Sequence, residues 1–473
     1  SGASFVGLIG AAYSYGLVVF HYEWTAALVL VLFAVVILPV FVRARLTTVP
    51  EYLERRFEPR TRTVYSITTL ATLVLIDMSG ALYAGAVVMV TGLPFLDIWS
   101  ACIVISVVTG LYTIVGGLRA VVITDALQAV VMIAGAAAIA LYGLYVVGGW
   151  GELIARLDAK HVGLFRGPSD DFLPWPGIVG VVVLGLYYWS FNQYFVQRAL
   201  AARSLAEGRA GALFGGLLKL PNLLLMIVPG LIAAALYPAL ASPDQAFPTL
   251  TFELLPVGLR AVVLAAMLAA IMSSLDSALN AAASLVTMDL VKPRRPTLGD
   301  RALSQIGRIV TGLFMVVAAL YAPLIAQFGS LFEYFQSTLA YIVPPFVAVY
   351  LGGIASRRLR RASAFWALVI VEPLALGLFV AQEATGVWAS VGFPAIHFTY
   401  VAVVLVPLTL LAMAVAGHVV PDDRPVEAQM TVSARDLVAG TARSGGVLDS
   451  VVDYRVQAVV LLAATALLLV VIA

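Results

Sequence analysis

Three observations predict an all-α polytopic membrane protein. Apolar residues make up 62% of the 473-residue chain and charged ones only 11%, a balance that membrane proteins need and soluble domains of this size do not. Apolar stretches of about 18 to 28 residues recur from end to end, each long enough to span roughly 30 Å of hydrocarbon. The basic residues gather in alternate loops, as they do in multi-pass proteins oriented by positive charge. One cysteine, Cys102, allows no intrachain disulfide, and the four histidines stand at no metal-ligand spacing. No nucleotide-binding Gly-rich loop, kinase motif or soluble catalytic domain is present, so the chain is expected to be neither an enzyme nor a nucleic-acid binder.

In order, the expected spans are 1–20, 22–42, 63–90, 95–115, 121–147, 176–197, 209–237, 257–290, 303–322, 331–353, 362–381, 395–418 and 455–473. The first opens on Ser-Gly-Ala-Ser inside an apolar run with no initiator Met, so its start is expected to be missing. Arg43, Arg45, Arg55, Arg56, Arg60 and Arg62 follow the second span, and Arg198, Arg203 and Arg209 the sixth. Lys292, Arg294, Arg295 and Arg301 follow the eighth, and Arg357, Arg358, Arg360 and Arg361 the tenth. With thirteen spans these loops share one side, which is cytoplasmic. The longest opposite loop, 148–175, carries Glu152, Asp158, Asp170 and Asp171, with Trp150 and Trp175 suited to an interfacial belt.

Residues 1–353 are expected to be a transport core, since ten spans divide into two groups of five, about 1–147 and 176–353. An odd number per group inverts the second copy, a construction common in secondary transporters. Their opening helices look interruptible: Gly2, Gly7, Gly10 and Gly16 punctuate the first, and Gly177, Gly180 and Gly185 the sixth. Residues 354–473 supply peripheral spans and, at 419–453, a Pro-, Asp-, Arg-, Ser- and Gly-rich stretch that reads as a cytoplasmic loop.

The chemistry is expected where polar residues interrupt these spans. The run 269–280, Ala-Ala-Ile-Met-Ser-Ser-Leu-Asp-Ser-Ala-Leu-Asn, read as a helix, puts Ser273, Asp276, Ser277 and Asn280 on one stripe, with Ala270 a turn earlier. Hydrocarbon solvates neither carboxylates nor hydroxyls, so the stripe must face protein, water or an ion. Its hard oxygen ligands suit a small cation, and the chain reads as an ion-coupled transporter. Asp125 lies about two turns inside the fifth span; the bland alternative is a pairing with Arg119, and the functional one a second cation shared with Asp276 and Ser277. Ser273 and Ser274 could equally bond back to their own helix carbonyls. Lys219 sits about ten residues into the seventh span, where burial penalises its charge unless a carboxylate or hydroxyls meet it. Glu23 and Gln336 are a carboxylate and an amide at span positions, and Asp77 is a further acid without an obvious partner. Tyr187 to Gln193 combine flat aromatic faces, including Tyr188 and Trp189, with amides. Such groups stack on sugar rings and bond sugar hydroxyls, or pack as ordinary core.

These residues together resemble the sodium/solute symporter family, in its sodium–glucose/galactose cotransporter branch. The resemblance runs over nearly the whole chain and is carried by separate motifs in the same order. They are Val49-Pro50-Glu51-Tyr52-Leu53 with Arg55-Arg56-Phe57, Gly116-Gly117-Leu118-Arg119-Ala120-Val121 leading to Thr124-Asp125, and Phe191-Asn192-Gln193-Tyr194 with Gln197-Arg198. Leu218-Lys219-Leu220, Ser273-Ser274-Leu275 and Thr287-Met288-Asp289 complete the set.

The resemblance implies a LeuT-type core of two inverted five-helix repeats, with a further helix before Ser1. It implies a sodium ion held by the Ala270 carbonyl and the Ser273 and Ser274 hydroxyls, with matching first-helix carbonyls falling before Ser1. Members with a second sodium use positions matching Asp125, Asp276 and Ser277. In the sugar-transporting branch, positions matching Glu23, Lys219 and Gln336 bond sugar hydroxyls. The one matching Tyr188 stacks on the ring, with those matching Tyr22, Trp189 and Phe332 nearby. Three positions depart from that pattern: Ser4 replaces a sugar-contacting glutamine, Gly185 a pocket asparagine, and Asp77 an amide or lysine. The expected activity is therefore sodium-driven symport of a sugar or polyol across the plasma membrane. Symport of an amino or carboxylate solute, or a transporter-like sensor, are the alternatives.

Overall fold

The computed structural model describes residues 2–420, 427–432 and 453–472, with the side chains of 111–124, 384 and 428 outside the description. The motif 116–121, its Thr124 and the Arg119 alternative for Asp125 thus lie outside the described side chains, as does most of the expected loop 419–453. Every regular element among the described residues is a helix. Among the described residues eight helices are long and apolar enough to cross a membrane: Ser4–Arg43, Pro59–Gly92, Asp125–Val147, Val257–Val291, Asp300–Gln327, Ser363–Glu383, Phe398–Val419 and Tyr454–Ile472. A bent pair, Leu331–Ile342 with Pro344–Ala355, makes a ninth, and Ile98–Gly110, Trp175–Phe191 and Leu223–Leu236 are shorter apolar helices.

The differences from the expected spans have local causes. Spans 1–20 and 22–42 lie in one run, but the helix Ile9–Tyr15 stops at Gly16, whose φ of 79° belongs to the left-handed region that glycine alone enters freely. The expected spans 95–115 and 121–147 fall in one helical run, Ile98–Val147. The seventh span, expected unbroken over 209–237, is interrupted. Its helix Leu205–Leu217 ends just before Pro221, and the chain turns over 218–221 before Leu223–Ile227 resumes. Proline has no N–H to donate and its ring clashes with the carbonyl four residues back. The tenth span bends by 50° at Val343, ahead of Pro344 and Pro345, for the same reason.

Several spans contain a wide turn with i→i+5 bonding, a feature that clusters at functional sites. Ser4–Leu8, Phe33–Ile37, Leu73–Met78, Tyr187–Phe191 and Leu223–Ile227 are of this kind.

The chain forms two compact units, interleaved in sequence. One comprises Ser1–Phe20, Thr69–Arg166 and Pro221–Phe335. At its centre the helix Val257–Ser284 packs along Ile98–Val147, with Asp300–Tyr321 against both and the turn Leu73–Met78 beside Val257–Ser284. The other comprises His21–Thr68, Gly167–Leu220 and Gln336–Ala473. Here Tyr65 and Tyr350 bring their rings together at 5.3 Å, and Phe191 stacks on Tyr350 at 4.5 Å. Arg56, fully buried, donates to the carbonyls of Gly353, Ser356 and Leu359. Within the expected loop 419–453, residues 427–432 are pinned to this unit. Arg43 donates to the carbonyls of Gln429 and Thr431, Tyr52 to that of Met430, and the Val432 N–H to that of Ile354.

Candidate functional site

In the second unit, the helix His21–Leu32 carries Glu23 in its first turn. The break at Pro221 leaves Lys219 in a turn rather than a helix, with its N–H bonded to the Gly216 carbonyl. The Lys219 ammonium donates to a Glu23 carboxylate oxygen at 3.0 Å, the two side chains being 18% and 6% exposed. A pair so nearly buried persists only with close geometry and further partners, because each charge has left water. One further partner is aromatic: the ammonium stands 4.3 Å over the Trp189 ring, a cation–π contact. Trp189 is held in turn by Tyr188 at 5.4 Å and Phe195 at 4.4 Å. Both Tyr188 and Trp189 lie on the wide turn Tyr187–Phe191, where the chain leaves the helix at Asn192 with ψ 124°. The Asn192 side chain then caps the next helix by accepting the Tyr194 N–H at 2.9 Å. The sixth span breaks at Asn192, in the aromatic and amide run, while Gly180 and Gly185 stand inside the continuous helix Ile178–Leu186.

Tyr22 neighbours Glu23 and lies 6.2 Å from the Phe172 ring. Gly185 lies near Val29 and Trp189: an added Cβ would stand in ordinary contact, 3.4 Å from a Val29 methyl and 3.8 Å from a Trp189 ring carbon. Gln336 is half-buried on Leu331–Ile342 in the same unit.

The first unit holds the other expected residues. Ser4 is half-buried on the wide turn Ser4–Leu8, and that turn passes the buried Phe332: an added Cβ on Gly7 would stand 3.6 Å from the Phe332 nitrogen. Asp77 is half-buried on Leu73–Met78, the turn that packs against Val257–Ser284. On Val257–Ser284, the Ser273 hydroxyl donates to a carboxylate oxygen of Asp125 at 2.5 Å. Ser274 bonds back to the Ala270 carbonyl at 2.8 Å, the local use of a membrane serine. Asp276 and Ser277, 1% and 0% exposed, follow one turn along, and Asn280 donates to the Asp276 carbonyl at 2.9 Å. Asp125 is thus joined to Ser273, and through that residue the two expected ion sets become continuous. Hydroxyl, carboxylate and carbonyl oxygens are hard donors of the kind that alkali cations take.

A third carboxylate was not anticipated. Asp244, 3% exposed, lies in the connection between Leu223–Leu236 and Val257–Ser284. It accepts the Leu331 N–H with both oxygens, at 3.1 and 3.0 Å, and the Tyr83 hydroxyl at 3.3 Å. Burial pushes its carboxyl up to about 7, with nearby Glu333 adding to the shift and the two hydrogen bonds opposing it. Its place after Ser242-Pro243, a turn-starting pair, was the only sequence signal.

The sodium:solute symporter family pattern matches residues 1–371. The chain belongs to the sodium:solute symporter family. It is 33% identical over 460 residues to the sodium/glucose cotransporter 4 of Danio rerio, covering 86% of this chain and 69% of that one. It is 32% identical over 461 residues to the sodium/glucose cotransporter 1 of Ovis aries, with the same shares covered. To the sodium/myo-inositol cotransporter 2 of Oryctolagus cuniculus it is 35% identical over 406 residues, 77% of this chain and 60% of that one. Among solved structures, a sodium-coupled sialic acid symporter matches with a TM-score of 0.76 at 19% identity, over 90% of this chain and 88% of that one. The fold is accordingly the LeuT type that the motifs implied.

Proposed function

We propose that this symporter carries a neutral polyhydroxy solute, a sugar or cyclic polyol, into the cell with sodium. Sodium-coupled symport in the plasma membrane is the family's activity, and its members transport without covalent chemistry. The observation that carries the substrate class is the Glu23–Lys219 pair at 3.0 Å with Trp189 against the ammonium. The pair has no net charge, so a charged solute gains no counter-ion from it. A hydroxyl both donates and accepts, and can bond the carboxylate and the ammonium at once. The aromatic faces of Trp189 and Tyr188 suit the C–H face of a sugar ring, and Tyr22, Gln336, Phe332, Ser4 and Asp77 are the remaining substrate candidates. The names of the relatives, glucose and myo-inositol cotransporters, agree with this class.

Sodium is assigned to Ala270, Ser273 and Ser274, with a second ion at Asp125, Asp276 and Ser277. The 2.5 Å Ser273–Asp125 bond supports a shared, continuous ion region. A sodium ion at Ser274 would take over the Ala270 carbonyl and the hydroxyl that now bond each other. The core repeats are assigned to about 1–147 and 176–353, with 354–473 peripheral. Alternating access follows, in which sodium favours the outward-facing state and the solute then closes it. Each charge moved through 100 mV contributes about 2.3 kcal/mol.

The deciding experiment is uptake of labelled glucose, galactose and myo-inositol into proteoliposomes, with and without an inward sodium gradient. Gradient-dependent accumulation of at least one is expected. Sodium binding without uptake of any of the three would move the substrate to an amino or carboxylate compound and reject the polyol reading.

A further inference from the structure

The last span, Tyr454–Ile472, is peripheral by position but touches the helix His21–Leu32, which carries Glu23, and the helix Leu205–Leu217, which leads into Lys219. Its inward face repeats at Tyr454, Ala458, Leu461 and Thr465, all at most 7% exposed, while Val459, Val460 and Leu467 face outward and are more than half exposed. That inward face enters a cluster with Ala27 and Ala34 from the Glu23 run and Leu213 and Leu220 flanking Lys219.

Two levels of contact define the arrangement. At one, Arg209, 2% exposed, lays its guanidinium 3.9 Å over the Tyr454 ring and donates through Nε to the Ala34 carbonyl at 3.0 Å. At the other, Gly216 lets three helices meet. A Cβ added there would stand 2.7 Å from a Leu461 methyl, 3.6 Å from Leu30 Cβ and 3.7 Å from Ala27 Cα. The second level abuts the ion pair on both sides. The Gly216 carbonyl accepts the Lys219 N–H at 3.1 Å, and Ala27 is one helical turn from Glu23. Without a hydrophobic force between helices in lipid, such close approach of small residues is what holds them in register.

We infer that the last span is a positioning element for the substrate pair: Leu461 against Gly216 sets how closely the Glu23 and Lys219 segments approach. A hydrogen bond of 3.0 Å is lost within about half an ångström, and misplacement by about 1 Å far from the reacting groups costs an active site much of its effect. Substrate affinity therefore depends on a helix that contributes no group to the pair. This inference rests on the reading of Glu23 and Lys219 as substrate-bonding.

The test is sodium-driven uptake of labelled glucose, galactose and myo-inositol, measured as KM and as half-activating sodium concentration, in full-length protein. Gly216→Ala is expected to raise KM about three- to tenfold while leaving half-activating sodium unchanged. Adding Leu461→Ala removes the colliding methyl and should return KM toward the wild-type value. Gly216→Val, whose extra carbons reach the Ala27 backbone, should raise KM further and resist that rescue; if it does not insert, the alanine pair decides alone. A wild-type KM in Gly216→Ala, an equal rise in half-activating sodium, or no rescue by Leu461→Ala would overturn the inference. Glu23→Gln separates the two levels of argument. If it raises KM and Gly216→Ala does not, the positioning role alone fails. If neither changes KM, the substrate reading fails and takes the inference with it.

Discussion

Two carboxylates, Glu23 in one unit and Asp125 in the other, are met in different ways. Glu23 accepts an ammonium at 3.0 Å, while Asp125 accepts a serine hydroxyl at 2.5 Å. An ammonium brings an opposite charge to its carboxylate, whereas a hydroxyl brings a hydrogen bond and no charge. In the proposed function the first contact serves a neutral guest and the second supplies oxygens to a cation. On the reading proposed above, a division of labour between solute and ion would follow from what each carboxylate is given as a neighbour.

The sharpest way to break the comparison is to take away the ammonium. Lys219→Met should abolish uptake and lower thermal stability, because removing one partner of a buried pair costs about 3–5 kcal/mol. Glu23→Gln with Lys219→Met should recover the melting temperature but not transport. A single variant as stable as wild type would show that the pair is solvated, against its low exposure.

Asp244 extends the comparison to a carboxylate held by N–H and hydroxyl donors in a connecting segment. Its folded-state value, raised to about 7 from 3.8, makes the fold bind a proton more tightly than the unfolded chain does. The stability this supplies is fully present below about 4 and is lost as pH rises through about 7, a few kcal/mol at most. Melting temperatures between pH 5 and pH 8 should therefore fall more in wild type than in Asp244→Asn. Parallel pH profiles would place the titration elsewhere.

On the ion side, Asp125→Ala should raise half-activating sodium about tenfold, close to 1.4 kcal/mol, with substrate KM nearly unchanged at saturating sodium. Equal shifts in both would dissolve the distinction between the two carboxylates. The smallest effect is expected from Trp189→Leu. Loss of the cation–π contact, worth about 1 kcal/mol, should raise KM about fivefold without moving sodium activation.

The polar residues at stake were legible because lipid makes every intramembrane charge conspicuous: Glu23, Lys219, Asp125 and the stripe from Ser273 to Asn280 stand out against apolar neighbours. Partners were less legible. Nothing local links Asp125 to Ser273, 148 positions on, and spacing alone groups Asp125 with Asp276 and Ser277 as readily. Likewise the back-bond of Ser274 to Ala270 competes with an ion for the same oxygens, and sequence holds both uses open. Prolines 221, 344 and 345 did carry the helix breaks in plain view, yet hydropathy windows average across them. The wide turns have no sequence signature, since packing against neighbouring helices, and not intrinsic preference, sustains the i→i+5 bonds. That is why Tyr188, Trp189 and Asp77 were found by chemistry while the backbone that aims them was not.

Those wide turns have a consequence for the register of insertions and deletions. Each holds one residue more than an α-turn, so losing a residue within Leu223–Ile227, which carries none of the assigned residues, can be absorbed by closing the turn to ordinary α geometry. Val257–Ser284 has no such spare residue. A one-residue deletion between Ala266 and Ile271 would swing everything on one side of it by about 100° relative to the other, turning Ser273 away from Asp125 or the start of the helix away from its packing. A deletion scan should accordingly find uptake surviving in a narrow window at Leu223–Ile227 and vanishing along the uninterrupted helix that carries the serines.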